Sequence, residues 1–396
     1  MVHSDVRLPG KETQLQGAIC KCHCLASLAV LAPLALYLVF WSLAITPFFQ
    51  RHFLYAHKFN TLFWHDVNEP ERWGFAKHQV TPFYLKTSDG NDIYAWHVLP
   101  LPFFCRQEAS IASQASSEVA PHDMTATASF RLLASDPSAK LVLYFHGNAG
   151  HVAQMYRADS FHSLTDTSTY HVIAIDYRGF GHSSGVPSEQ GLISDAETLV
   201  QWAIEVAGVP SSHIVLFGHS LGTAVVSGVA EKYTRKGVDF AGIVLVAGFS
   251  DLTNLLTGYR ISGVFPVAGP LTAWPSAVRF LQQYVVDKWH SADRLTSMVR
   301  HTTKKLRLEL IHSFADMDIP WQHNEILFQA AVNATEHGSR QQESADFNKA
   351  DGDIVTVVRA SPDIVIRRHL VVHGGHNLIV SSAAVVGAVM RCFGDV

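Results

Sequence analysis

The stretch Gly218-His219-Ser220-Leu221-Gly222 closes the apolar run Ile214 to Phe217 and precedes a helical pattern from Thr223 to Tyr233. Strand, sharp turn and helix then follow one another with a serine at the apex. So tight a turn brings the strand and helix backbones too close for a Cβ two residues before or after the serine, which is why Gly218 and Gly222 matter. The pattern predicts a nucleophile elbow. Glycine and serine are common, however, so the rest of the chain has to supply the context.

Upstream, Leu141-Val142-Leu143-Tyr144-Phe145 reads as a buried strand running into His146-Gly147-Asn148-Ala149-Gly150. The next strand, Val172 to Ile175, runs into Asp176-Tyr177-Arg178-Gly179-Phe180-Gly181. A serine hydroxyl needs a base to take its proton and an acid to orient and steady that base. After Ser220, the strand Leu306 to Ile311 leads to Asp316 and Asp318. The strands Val365-Ile366 and Leu370 to Val372 lead to His373 and His376. Each candidate lies just past the carboxyl end of a strand, where a parallel sheet gathers its site residues. Asp316 is the preferred acid, with Asp318 as the alternative. His376, in a Gly-Gly-His turn, is preferred over His373. Asp176 reads as a structural turn residue, Arg178 as a tie for its loop, and His219 as the variable position of the elbow.

These motifs, with Pro187 to Ile193 and Asp195, resemble the membrane-anchored α/β-hydrolases of the monoacylglycerol and lysophosphatidylserine lipase type and their fungal relatives. Val80 to Phe83, Tyr94 to His97 and Asp318 to Trp321 extend the resemblance over roughly residues 70 to 395. It implies an α/β-hydrolase fold, with a mostly parallel central sheet, helices on both faces and a cap insertion. It further implies Ser220 as nucleophile, Asp316 as acid, His376 as base and the N–H groups of Asn148 and Leu221 as the oxyanion hole, supported by His146, Gly147, Gly218 and Gly222. Relatives often carry an acidic pair ahead of the acid turn, whereas this chain has Phe314-Ala315-Asp316. The substrate class implied is a lipid ester, monoacylglycerol or lysophospholipid, with thioesterase chemistry and a non-catalytic tethered scaffold as alternatives. Neither cofactor nor metal is called for.

Leu25 to Ile45 carries no charged residue and meets the length of about 20 residues that a bilayer-crossing helix requires. We read a tail over 1–24, a transmembrane anchor over 25–46, a membrane-proximal linker over 47–78 and the catalytic domain over 79–396. A cleaved signal peptide fits less well, because the apolar run is too long and starts too late. Basic residues are balanced across the span, with Arg7, Lys11 and Lys21 before it and Arg51 and Lys58 after it, so charge does not set its orientation. The resemblance implies an endoplasmic-reticulum protein with a lumenal catalytic domain, and Asn333-Ala334-Thr335 is a matching glycosylation sequon.

Within the catalytic domain, 106–139 reads as a flexible insertion, 249–297 as an apolar, proline-broken cap or lid, and 336–353 as a polar insertion. Cys20, Cys22 and Cys24 crowd the membrane edge without the spacing of a zinc site. Cys105 and Cys392 read as non-catalytic. With a net charge of −4 and no basic stripe, nucleic-acid binding is excluded as a partner class.

Overall fold

The computed structural model describes residues 31–60, 64–114, 119–154, 156–261, 265–335, 341–346 and 352–396. The chain divides into two units, Met1–Gln50 and Arg51–Val396.

Within the larger unit, a hairpin opens the fold, with β1 (Val80–Lys86) antiparallel to β2 (Asp92–Val98). There follow β3 (Lys140–Phe145), β4 (Tyr170–Ile175), β5 (Ile214–His219), β6 (Gly242–Val246), a two-residue pair β7 (Arg260–Ile261) and β8 (Phe265–Pro266), then β9 (Leu306–Ser313), β10 (Gln341–Asp346), β11 (Ile354–Arg359) and β12 (Ile364–Val371). Ten of these form one sheet in the order β1-β2-β4-β3-β5-β6-β9-β12-β11-β10. From β4 to β12 the pairing is parallel, and the strands beyond each end run antiparallel.

The central strands are continuous apolar runs because helices cover both faces. Side chains alternate between those faces with period two. Leu141, Leu143, Ile214 and Leu216 pack with Leu192, Val225 and Leu295 from helices Glu189–Gln201, Leu221–Arg235 and Ser291–His301. Their neighbours Val142, Tyr144, Val215 and Phe217 point the other way, onto Phe161 of Arg157–Thr165 and Val385 of Ala383–Phe393. In the strand order, β3 lies between β4 and β5, so the chain leaves it in both directions. The carboxyl ends of β3 and β5 flank that reversal, which is where α/β sheets place their ligands.

Several segments differ from the sequence reading. Residues 106–139 contain the end of helix Leu101–Ser113 and the helix Ala128–Ala134; residues 115–118 lie outside the described residues. Only Phe104 and Ile111 of the first helix are buried, which leaves too sparse an apolar stripe to register as periodicity. The second helix is capped by the Thr127 hydroxyl, which accepts from the Phe130 N–H, and it buries Phe130 and Leu133 in the core. Within 336–353, Gln341–Asp346 forms an edge strand on β11. Backbone hydrogen bonds hold it there, so its polar side chains give no sign of the pairing. Residues 336–340 and 347–351 lie outside the described residues.

The segment 249–297, read as a cap or lid, contains helices Leu252–Gly258 and Pro275–Gln282, the latter with exposed Phe280. The segment 47–78, read as a linker, contains helix Pro47–Tyr55 and buries Tyr55 in the core of the catalytic domain.

At the N-terminus, residues 1–30 lie outside the described residues, so the tail, the three cysteines and the start of the anchor go undescribed. The remainder of the expected span is a helix, Leu31–Ala44, that exposes leucines. Pro47 starts a separate helix, with the Thr46 hydroxyl accepting from the Phe49 N–H at its start. Among the described residues, no single helix is long and apolar enough to cross a membrane, although Leu31–Ala44 and Pro47–Tyr55 pass that test as a bent pair.

Arg178 ties the loop after β4 to its surroundings. Its Nε and Nη2 donate to Asp195 Oδ1 at 2.9 and 2.8 Å, and its Nη1 donates to Asp89 Oδ2 at 2.7 Å. Asp195 is fully buried and also accepts from the Arg178 backbone N–H. Burial pushes its carboxyl up, while these bonds pull it back. We predict that Arg178→Ala, by leaving Asp195 buried without its cation, costs roughly 3–5 kcal/mol of stability, read from the urea denaturation midpoint.

Candidate active site

The serine turn has the strain its sequence requires. Ser220 adopts φ 53° and ψ −118°, a left-handed conformation that is uncommon for a residue with a Cβ. Its N–H donates to the Val246 carbonyl at 2.9 Å, and its carbonyl accepts from the Thr223 hydroxyl at 2.7 Å, which clamps both sides of the turn. A Cβ on Gly218 would stand 2.5 Å from the Gly222 carbonyl oxygen, and one on Gly222 would overlap the Phe145 carbonyl. Ser220 thus sits at the N-terminus of helix Leu221–Arg235. The unpaired N–H groups and partial positive charge of a helix start favour negative charge there.

His376 follows β12 on a turn made by Gly374 (φ 103°) and Gly375 (φ 56°). Its Nε2 lies 3.0 Å from Ser220 Oγ and its Nδ1 2.8 Å from Asp316 Oδ2. The three residues predicted from separate loops therefore form one continuous relay. His373 is exposed, and its backbone carbonyl accepts from Ser313 Oγ at 3.1 Å. Asp318 meets Asp316 through its own N–H, which donates to Asp316 Oδ1 at 2.9 Å.

Asp316 is the most heavily bonded group of the site. The N–H of Ile319 donates to Oδ1 at 2.8 Å, and His312 Nε2 reaches Oδ2 at 3.1 Å. Burial alone would raise this carboxyl, but the hydrogen bonds from His312 and His376 prevail and hold it well below the usual carboxylate range. His312 also donates to the Ile319 carbonyl at 3.0 Å, closing the turn from inside. Sequence reading passed over His312, which occupies a strand position within β9 and four residues before the acid.

Two further positions were missed or undervalued. His219 Nε2 donates to the carbonyl of His376 at 2.9 Å, so the variable elbow position pins the histidine loop. Burial, together with the charge of His376, lowers its pKa to about 3, which keeps the ring neutral. Arg157 is 1% exposed, and its Nη2 donates to the carbonyls of Gly147, Asn148 and Ala149 at 3.0, 2.8 and 2.8 Å. In a trans peptide the N–H points opposite the preceding carbonyl, so turning the Gly147 carbonyl towards Arg157 aims the Asn148 N–H the other way. An arginine at the first turn of a helix carries no sequence signal for such a role.

His146 is buried, with Nδ1 2.7 Å from the Gly147 carbonyl, and a Cβ on Gly147 would stand 3.1 Å from that of Ser220. Burial also pushes Asp176 up to about 7, and this residue accepts from the backbone N–H groups of Val152 and His182. It organises a turn, as expected from its position.

Two cavities meet at Ser220. One, of about 670 Å³, is lined mainly by apolar side chains, including Leu252, Leu255, Leu256, Ile319 and Leu54. The other, of about 610 Å³, is more polar and includes Gln154, Tyr156, Asp318 and Asn377. Asn148 lines both.

Residues 136–385 match the family model Hydrolase_4, described as serine aminopeptidase, S33. The chain is 28% identical over 291 residues to human protein ABHD12B, covering 72% of this chain and 71% of that protein. It is also 28% identical over 221 residues to the lysophosphatidylserine lipase ABHD12 of Danio rerio, covering 56% of this chain and 52% of that one. An α/β-hydrolase from Vibrio vulnificus superposes with a TM-score of 0.52 at 16% identity, over 73% of this chain and 84% of that structure, which attests the fold. With the family model spanning more than half of its length and ABHD12 proteins among its relatives, the chain belongs to the Hydrolase_4 family as an α/β-hydrolase of the ABHD12 type.

Proposed function

We propose that the protein hydrolyses carboxylic esters of monoacyl lipids, monoacylglycerol or a lysophospholipid, with Ser220 as nucleophile, His376 as base and Asp316 as acid. The observation that carries this reading is the relay from Asp316 through His376 to Ser220, standing where an apolar cavity meets a polar one. An acyl chain fits the first and a glycerol or phosphodiester headgroup the second. The lysophosphatidylserine lipase among the relatives supports the same substrate class.

Ser220 Oγ attacks the ester carbonyl carbon as His376 Nε2 takes its proton. Asp316 holds the imidazole through Nδ1 and steadies the positive charge it acquires. The tetrahedral oxyanion is received by the N–H groups of Asn148 and Leu221, the first aimed by Arg157 and the second at the start of a helix. His376 then returns the proton to the departing alkoxide. Water, activated by the same histidine, attacks the acyl-enzyme and releases the fatty acid.

Membrane attachment near residues 25–46 belongs to the same reading, because such a lipase draws its substrate from a bilayer. The exposed leucines of Leu31–Ala44 support it. A lumenal catalytic domain of the endoplasmic reticulum would present Asn333, which is exposed. We predict an endoglycosidase-sensitive mobility shift that Asn333→Gln abolishes; a wild-type chain without the shift would remove this sequon as support for the lumenal orientation.

Ser220→Ala is expected to abolish both fluorophosphonate labelling and hydrolysis of monoacylglycerol and lysophosphatidylserine, and turnover in that variant would overturn the assignment. The same assay with thioester substrates separates lipase from thioesterase chemistry, and a wild-type protein that never labels would favour a scaffold. For the acid, Asp316→Asn should lower kcat by roughly 10³–10⁴-fold, since an amide cannot hold the histidine in its working tautomer. Asp318→Asn should cost far less, and the reverse order would transfer the acid role to Asp318.

A further inference from the structure

The apolar cavity at Ser220 has one wall that lies outside the family-matched region 136–385 altogether. Residues between His52 and Phe59, upstream of the first strand of the sheet, line it together with Leu252, Leu255 and Leu256. We propose that residues 51–60 are a strap that closes the acyl-binding arm and sets the length of acyl chain the enzyme accepts. This rests on the reading that Ser220 carries the acyl group.

Three bonds fix the strap to three different elements. The carbonyl of Tyr55 accepts from the Ala149 N–H at 3.1 Å, on the loop after β3 that holds Asn148. The Tyr55 hydroxyl donates to Asp287 Oδ2 at 2.7 Å, at the far end of the cap segment. Lys58 Nζ donates to the Gly179 carbonyl at 3.1 Å, on the loop after β4. Between these anchors, Tyr55 is 1% exposed and His57 4%. The Tyr55 ring meets Phe180 edge-on, with centroids 6.3 Å apart. Ala56, at φ 43°, stands between the two buried residues, and its carbonyl accepts from the Phe59 N–H at 2.8 Å. A free linker would bury none of these groups and would leave its backbone to water.

The chemistry of the walls selects the occupant. Leu54 is half-buried and faces the same cavity as the cap leucines, while the ammonium of Lys58 is engaged by a carbonyl. An alkyl chain is the ligand such a surface takes. Each methylene moved from water onto it raises kcat/KM by up to about fourfold, until the chain meets a wall. The strap supplies that wall. It also touches the loop carrying Asn148, so the end of helix Pro47–Tyr55 and the residues just after it are part of the acyl site and of its frame.

The test uses the full chain in lipid nanodiscs with 4-nitrophenyl esters of 2 to 16 carbons, which hold the leaving group constant. Leu54→Trp is expected to lower the ratio of kcat/KM for the 12-carbon over the 4-carbon ester at least tenfold, and Leu54→Ala to move the optimum to longer chains. A ratio unchanged in both variants, or losses equal at every chain length, would overturn the strap. A second readout needs neither catalysis nor a Leu54 variant. A diazirine-bearing palmitate is photocrosslinked to Ser220→Ala protein, with adducts expected within residues 51–60 and 252–256. Adducts confined to other segments would overturn the proposal. Should the wild type cleave no ester, the hydrolytic reading fails, and the crosslink alone then decides the strap.

Discussion

The approach of the Gly222 backbone to the carbonyl of Phe145 is the constraint on which the site depends. It locks the start of helix Leu221–Arg235 against the end of β3, and it is open only to a residue without a Cβ. From it follow the left-handed Ser220 and the placement of Leu221 at an open helix terminus. The His146–Gly150 loop is brought alongside by the same contact. The strain is held by the parallel sheet beneath, whose strands are buried on both faces and cannot shift without disturbing two cores.

Around that turn, Asp316 and Arg157 each carry a buried charge met by groups of opposite polarity. Asp316 receives two imidazoles and two backbone N–H groups, which keeps a buried carboxylate ionised. Arg157 does the converse for the loop after β3, gathering carbonyls around a buried guanidinium. His219 ties the elbow to the histidine loop. Three loops from the ends of β3, β5 and β12 are thereby held in one geometry by groups that never need to touch a substrate.

Much of the sheet was legible beforehand. The runs at Leu141, Val172 and Ile214 are short, apolar and followed by histidine, aspartate and glycine, the signature of parallel strands whose carboxyl ends form a site. Less legible were segments whose structure rests on backbone bonds or on few contacts. Gln341–Asp346 pairs as an edge strand despite its polarity, and Leu101–Ser113 is a helix with only two buried side chains. The 47–78 stretch reads as a linker because its composition is mixed, yet Tyr55 is buried in the core of the catalytic domain.

By itself, the sequence determined the elbow, the order of strand-end loops, and the candidate serine, acid and histidine, because glycines at fixed spacing and apolar runs are local signals. Only the tertiary structure set Asp316 at 2.8 Å from His376 Nδ1 and His376 at 3.0 Å from Ser220 Oγ. It also brought in His312, His219, Arg157 and the 51–60 strap. These depend on distances between residues remote in the chain, and no local pattern encodes which of two carboxylates will point at an imidazole 60 residues away.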